Sequence, residues 1–197
     1  RARQSGDLSE LPYRGYLAAI PVSDFELNFL PHLPRRVPGR LFLQKFDSTI
    51  DVATEVEAGE LYDIRACTQH PIYENRDAVL FLRRVEALHE MTDSRARKDL
   101  LVLAGGLMYA GHKRYSDSGL GHPATDFIVK LAKEAGPAAG IFGARVTGGG
   151  CGGTVCLLCD GEHGLETAQR IAEESANAQN SAPELFSGSS DGTFYRE

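Results

Sequence analysis

Between residues 143 and 153 the chain reads Gly143-Ala144-Arg145-Val146-Thr147-Gly148-Gly149-Gly150-Cys151-Gly152-Gly153, and Thr154-Val155-Cys156-Leu157-Leu158-Cys159 follows at once. Five of the last six residues of the first stretch are glycine. Such a backbone reaches left-handed conformations and lets another backbone or a ligand come close, at an entropic cost in the folded state. Successive N–H groups in a loop of this kind can turn into one concavity and bind an anion, most often a phosphate. The flanks separate the known glycine motifs. A Walker loop requires Lys and then Ser or Thr, with a helix opening there; this chain has neither. Gly148, Gly150 and Gly153 satisfy the pattern G-x-G-x-x-G, but that fingerprint needs a helix whose N-terminus meets a pyrophosphate. An apolar, strand-like run follows instead, so the loop is predicted to join two strands, 141–146 and 154–159. A glycine-rich strand connection with no ligand is the alternative.

A formal charge of -6 and no sizeable basic cluster speak against nucleic acid or an anionic membrane as partner. No apolar run approaches the length of a membrane span and no signal-peptide pattern appears, so a soluble, cytoplasmic protein is expected. The chain begins at Arg1, which reads as a processed, tagged or partial chain. Cys151, Cys156, Cys159 and His163 have a spacing that on paper suits zinc. Strand alternation would turn Cys156 and Cys159 to opposite faces, so no metal is expected and the cysteines are read as small buried hydrophobes.

Residues 1–14 are read as a flexible N-terminal segment and 15–197 as one domain. Residues 16–20 read as a short strand stopped by Pro21. Ser23 with Glu26 forms a capping-box pattern, predicting a helix that ends at Pro31 or Pro34. A second short helix is predicted over 38–46 and a weakly extended stretch over 61–67. Longer helices follow over 75–91, from Asp93 or Ser94 to Arg114, from Pro123 to Gly136 with Phe127, Ile128 and Leu131 inward, and over 164–178; residues 186–195 could add a last strand. Gly105 and Gly106 inside the second of these helices are read as permitting close helix packing, since each costs about 1 kcal/mol relative to Ala. The order is not a repeating β-α-β series. The fold class is α+β, an antiparallel sheet of about four strands covered by helices.

The glycine stretch, with Gly143-Ala144-Arg145 before it and Thr154-Val155 after it, resembles the third signature motif of the GHMP small-molecule kinases, which lies in the C-terminal half of that family. His70-Pro71-Ile72-Tyr73-Glu74-Asn75, the run from Leu107 through Tyr115-Ser116-Asp117-Ser118-Gly119 to Gly121, and Phe186-Ser187-Gly188-Ser189-Ser190 resemble its galactokinase-like branch, which includes L-arabinokinase. The likeness runs from about Gly15 to the end. It departs where the branch tends to have Gly-Leu-Gly-Ser-Asp-Gly-Thr and this chain has Gly119-Leu120-Gly121-His122-Pro123-Ala124-Thr125, which bears on the sugar carried over.

The resemblance implies the C-terminal half of an ATP-dependent sugar kinase acting on the anomeric hydroxyl of a galactose- or arabinose-like monosaccharide. The family's ATP loop, magnesium ligands and catalytic Asp belong to the N-terminal half, and no match to them occurs here. The resemblance therefore implies no catalytic residue in this chain, ATP and Mg2+ bound only with that other half as partner, and little activity alone. Thr147, Gly148, Gly149, Gly150, Gly152 and Gly153 would then face the ATP phosphates, and Tyr115, Ser116, Asp117, Ser118 and Gly119 the sugar. For the latter segment a solvated loop with a helix C-cap is the alternative. Asp117 is not expected to be a general base, and His112 and His122 are read as hydrogen-bonded or surface histidines rather than a metal pair. The competing functional reading is a non-catalytic sugar- or protein-binding module that keeps the fold.

Overall fold

The structure, a computed structural model, describes residues 12–49, 54–180 and 183–188. A helical stretch over 22–32 leads into strand β1 (Val37–Pro38) and helix α1 (Gly39–Phe46). Strand β2 (Leu61–Tyr62) pairs antiparallel with β1, Val37 opposite Tyr62. Helices α2 (Ile64–Leu88), α3 (Ser94–Asp117) and α4 (Pro123–Ala135) follow, then strands β3 (Ile141–Val146) and β4 (Val155–Cys159), and finally helix α5 (Gly161–Gln179). β3 and β4 form an antiparallel hairpin in which Val146 faces Val155 and Ala144 faces Leu157, with a bulge between Ile141 and Gly143.

β3 is the centre of the packing. Ile141 and Ala144 join Val129, Leu131 and Ala132 of α4 and Ala168 and Ile171 of α5 in one apolar cluster. Phe142 packs instead with Leu88 of α2 and Leu101 of α3. A strand buried among helices on several sides needs apolar residues at successive positions rather than alternate ones, which is what Ile141-Phe142-Gly143-Ala144 provides. α3 lies directly on this strand at Gly105. A Cβ there would stand 1.8 Å from the Phe142 carbonyl oxygen, and one on Gly143 would stand 2.6 Å from the Gly105 Cα. Gly106 faces open space. Close packing at Gly105 therefore holds, with a strand as its partner, and the same expectation fails at Gly106.

The fold is mostly helical with small antiparallel sheets, the α+β class expected. Its four strands among the described residues lie in two separate pairs rather than one sheet. The strand expected over 16–20 is instead the helical turn Leu17–Ala19. Leu-Ala-Ala favours helix over strand, and the Ala18 carbonyl is held on α2 by Asn75 Nδ2 at 2.9 Å. The extended stretch over 61–67 shrinks to Leu61–Tyr62, because the Asp63 carboxylate accepts the Ala66 N–H at 3.3 Å and starts α2. α2 thus begins at Ile64 rather than 75 and carries Pro71 inside it. A proline forfeits one bond of the ladder, which a 25-residue helix sustains.

The helix expected after Ser23 is present as the stretch over 22–32, with Phe25 buried, but Pro21 and not Ser23 precedes its first turn and no side chain caps it. α3 is capped as predicted, Asp93 accepting the Ala96 N–H at 2.6 Å. In α4 the fully buried apolar residues are Val129, Leu131 and Ala132, with Phe127 and Ile128 only partly covered. Residues 12–15 form a tight turn; residues 1–11 of the expected flexible segment lie outside the described residues, as do 189–197 of the expected last strand, and 186–188 form no strand. No described helix is long and apolar enough to cross a membrane.

Candidate functional site

The glycine loop connects β3 to β4, as its flanks predict. Thr147 N–H donates to the Thr154 carbonyl at 2.9 Å and closes the hairpin. Beyond it, Gly148, Gly150, Cys151, Gly152 and Gly153 all have positive φ, between 58 and 102°. Five residues in the left-handed half of backbone space explain why four of them are glycine. Cys151 is the exception at φ 58°, and its N–H is fixed by the Leu120 carbonyl at 2.6 Å. The N–H groups of Gly148, Gly149, Gly150, Gly152 and Gly153 have no protein acceptor among the described residues. Gly148, Gly149 and Gly153 have nothing within 4 Å of where a Cβ would stand.

The other side of the loop rests on the turn after α3. A Cβ on Gly150 would stand 2.7 Å from the Leu120 carbonyl oxygen and 3.1 Å from Tyr115 Cδ1. Tyr115 donates its hydroxyl to the Gly148 carbonyl at 2.9 Å. The two candidate segments, far apart in sequence, are thereby in contact. Within the second, the candidates separate. Ser116 Oγ lies 3.2 Å from Asp126 Oδ1 and donates weakly to the His112 carbonyl. Ser118 bonds the Arg114 carbonyl at 2.7 Å, and its N–H, with those of Gly119 and Leu120, closes the last turn of α3. This is the helix C-cap geometry, with Gly119 at φ 81°. Asp117 is paired with Lys113 at 2.6 Å. It lines a hollow of about 330 Å3 with Ala66, Gln69, Tyr73, Arg76 and Arg114, none of which comes from the glycine loop.

Beneath the contact runs an ion-pair chain that the sequence did not announce. Arg145 of β3 pairs with Glu74 of α2, Glu74 lies 3.6 Å from Arg114 of α3, and Arg114 pairs with the buried Asp77 at 2.5 Å. The Arg145 guanidinium also stands 5.6 Å from the Tyr115 ring centroid, and the His70 ring meets that ring edge-on at 4.7 Å. Tyr115 is thus held on three sides. Glu74 and Asp77, one helical turn apart, point the same way, and that spacing was the available signal.

His112 and His122 form no metal pair. His112 accepts the Val146 N–H on Nδ1 at 3.3 Å and meets Asp126 through Nε2 at 3.1 Å. Burial holds its pKa below the ordinary histidine value; Asp126 opposes that and Arg145 adds to it. His70 is lowered in the same way, by burial first, with Glu74 opposing. His122 caps α4, its Nδ1 accepting the Ala124 N–H at 3.2 Å. Cys67, Cys151 and Cys156 are exposed and only Cys159 is half-buried, which corrects the expectation of buried cysteines. Cys156 is the one exposed position of β4, whose other residues pack against the two apolar clusters, and Cys151 sits in the loop. Among the described residues no three His, Cys, Asp or Glu side chains gather to hold a metal ion.

Residues 85–178 match the family model described as GHMP kinases C terminal. The chain is 31% identical over 186 residues to L-arabinokinase of Arabidopsis thaliana, covering 90% of this chain and 17% of that protein. It is 30% identical over 139 residues to galactokinase of Streptomyces coelicolor, covering 70% of this chain and 32% of that protein. The chain therefore spans under a third of the length of either relative.

Proposed function

Because the chain belongs to the GHMP kinases through a C-terminal-type domain and is homologous to L-arabinokinase and galactokinase, we propose that it is the C-terminal half of an ATP-dependent sugar kinase. The reaction is phosphorylation of the anomeric hydroxyl of a galactose- or arabinose-like monosaccharide, carried out in the cytoplasm together with an N-terminal kinase half from the same gene or a separate chain. In this reading residues 15–197 are one domain.

The observation that carries the reading is the seating of the glycine loop on the turn after α3, through Tyr115–Gly148 and Cys151–Leu120. The loop is suited to anionic oxygen: it keeps five N–H groups without an acceptor among the described residues, and at Gly148, Gly149 and Gly153 none of these residues fills the space beside the backbone. Phosphoryl transfer asks a protein mainly for positioning and charge neutralisation. Magnesium-ATP supplies the transferable phosphoryl group and part of the charge compensation. This chain contributes preorganised backbone donors from Gly148, Gly149, Gly150, Gly152 and Gly153, each worth about 3 kcal/mol if it meets developing charge. Thr147, whose N–H is spent on the hairpin, holds the loop's entrance. On the sugar side, Tyr115 and Gly119 shape the wall, Asp117 offers a carboxylate, and Ser116 and Ser118 keep the turn in place.

The test is transfer by this chain together with its N-terminal kinase half. Incubated with ATP and Mg2+ and with galactose or arabinose in turn, the pair is expected to give an anomeric sugar phosphate with one of them, seen directly by phosphorus NMR. Nucleotide binding with transfer to neither sugar would overturn the substrate assignment.

A further inference from the structure

The likeness to the sugar-kinase branch breaks at His122-Pro123-Ala124, and in the fold this is where the chain touches the glycine loop a second time. The imidazole of His122 lies against Gly152: a Cβ there would stand 3.5 Å from Cγ and 3.8 Å from both Cδ2 and Nδ1. That is ordinary contact distance, so the ring is a wall beside the loop. Its protonation pattern is fixed by the fold. Nδ1 accepts the Ala124 N–H, so in the neutral ring the proton sits on Nε2. Nε2 has no hydrogen-bond partner among the described residues. The end of α4 itself has little left to offer a ligand. Pro123 has no N–H, the Ala124 N–H is taken by His122 Nδ1 and the Asp126 N–H by the His122 carbonyl at 2.9 Å, which leaves only that of the buried Thr125 in the first turn. The ring that carries an unengaged Nε2–H therefore stands, through its Cγ edge, beside backbone donors that also lack acceptors among the described residues.

We infer that His122 is a ligand-contacting residue of the phosphate side, its Nε2–H donating to a phosphoryl oxygen of a polyphosphate held by the loop's N–H groups. The inference rests on the phosphate-side reading of the loop. It assigns the substitution of the branch's usual residues here to recognition of the anion, and it separates two jobs on one ring: Nδ1 caps the helix and Nε2 reads the ligand.

The separation makes the test clean. Nitrogen-15 NMR of the labelled chain, mixed with an N-terminal kinase half and titrated with inorganic triphosphate, follows the His122 Nε2 signal and the loop glycine amides in one experiment. His122→Asn keeps a capping oxygen where Nδ1 was and removes the Nε2 donor; His122→Gln restores an N–H near that position. The expected result is a saturable shift of Nε2 together with the glycine amides, an affinity about tenfold weaker in His122→Asn at unchanged thermal stability, and partial recovery in His122→Gln. Glycine amides that shift while Nε2 does not, or a His122→Asn affinity equal to that of the parent, would overturn the role of His122 and leave the loop's reading standing. Silence from both the amides and Nε2 would overturn both.

Discussion

Gly105 and Gly106 are neighbours in α3 with opposite surroundings, and a single methyl group distinguishes them. At Gly105 it would meet the Phe142 carbonyl carbon at 2.4 Å and the Gly143 nitrogen at 2.9 Å, backbone atoms that can move only if β3 moves. At Gly106 it would meet nothing. Gly105→Ala is expected to cost about 3 kcal/mol through overpacking, and Gly106→Ala to gain up to about 1 kcal/mol from helix propensity. Urea unfolding of the two variants checks this, and equal effects would refute the packing described. In the sequence the two glycines read alike, because what separates them is a strand 36 residues further on. The loop glycines were legible for the opposite reason: left-handed backbone is a local property, written in the residues that adopt it. Cys151 shows the limit of that rule, since its positive φ is imposed by the Leu120 carbonyl from outside the loop.

At the scale of elements, helix ends written as local chemistry were readable: Asp93 before α3, Pro123 in the first turn of α4, Gly136 after it. The start of α2 was not, because Pro71 looks like a boundary and the capping by Asp63 lies a full two turns earlier. How elements meet was least readable of all. His112 joins three of them, standing on α3, bonding Asp126 of α4 and receiving the last N–H of β3 at Val146. That bond needs an unprotonated Nδ1, and the groups facing the ring are Asp126, which favours the imidazolium, and Arg145, which opposes it. Burial is the largest influence on both His112 and His70, and it sets each pKa below the ordinary 6.5. The unfolded chain therefore takes up these protons first. Their contribution to stability is complete above about 6.5 and is lost as the pH falls through the depressed folded values. The urea midpoint is expected to drop between about pH 7.5 and about pH 5, a range in which the Asp63 carboxyl, held below its ordinary value by the Arg36 guanidinium and the Ala66 N–H, remains ionised. A midpoint that holds or rises on acidification would contradict the buried, neutral state of these two rings.

For the whole molecule, the sequence supported the α+β class and the hairpin that carries the loop, while the division of its strands into two separate pairs was hidden. Pairing of β1 with β2 depends on α1 and the chain around it, which no local pattern encodes. The fold presents a loop with five N–H groups lacking an acceptor among the described residues, seated on its own helix turn and braced from below by Arg145, Glu74, Arg114 and Asp77. It spans under a third of either sugar-kinase relative. Under the proposed function these features form one wall of a phosphoryl-transfer site, and an N-terminal kinase half supplies the other. The decisive measurement is phosphoryl transfer from magnesium-ATP to galactose or arabinose by the purified chain, alone and mixed with a separately produced N-terminal kinase half. No transfer is expected from the chain alone, and turnover when the half is added. Turnover by the chain alone would place the catalytic groups within this chain and contradict the reading of it as a half.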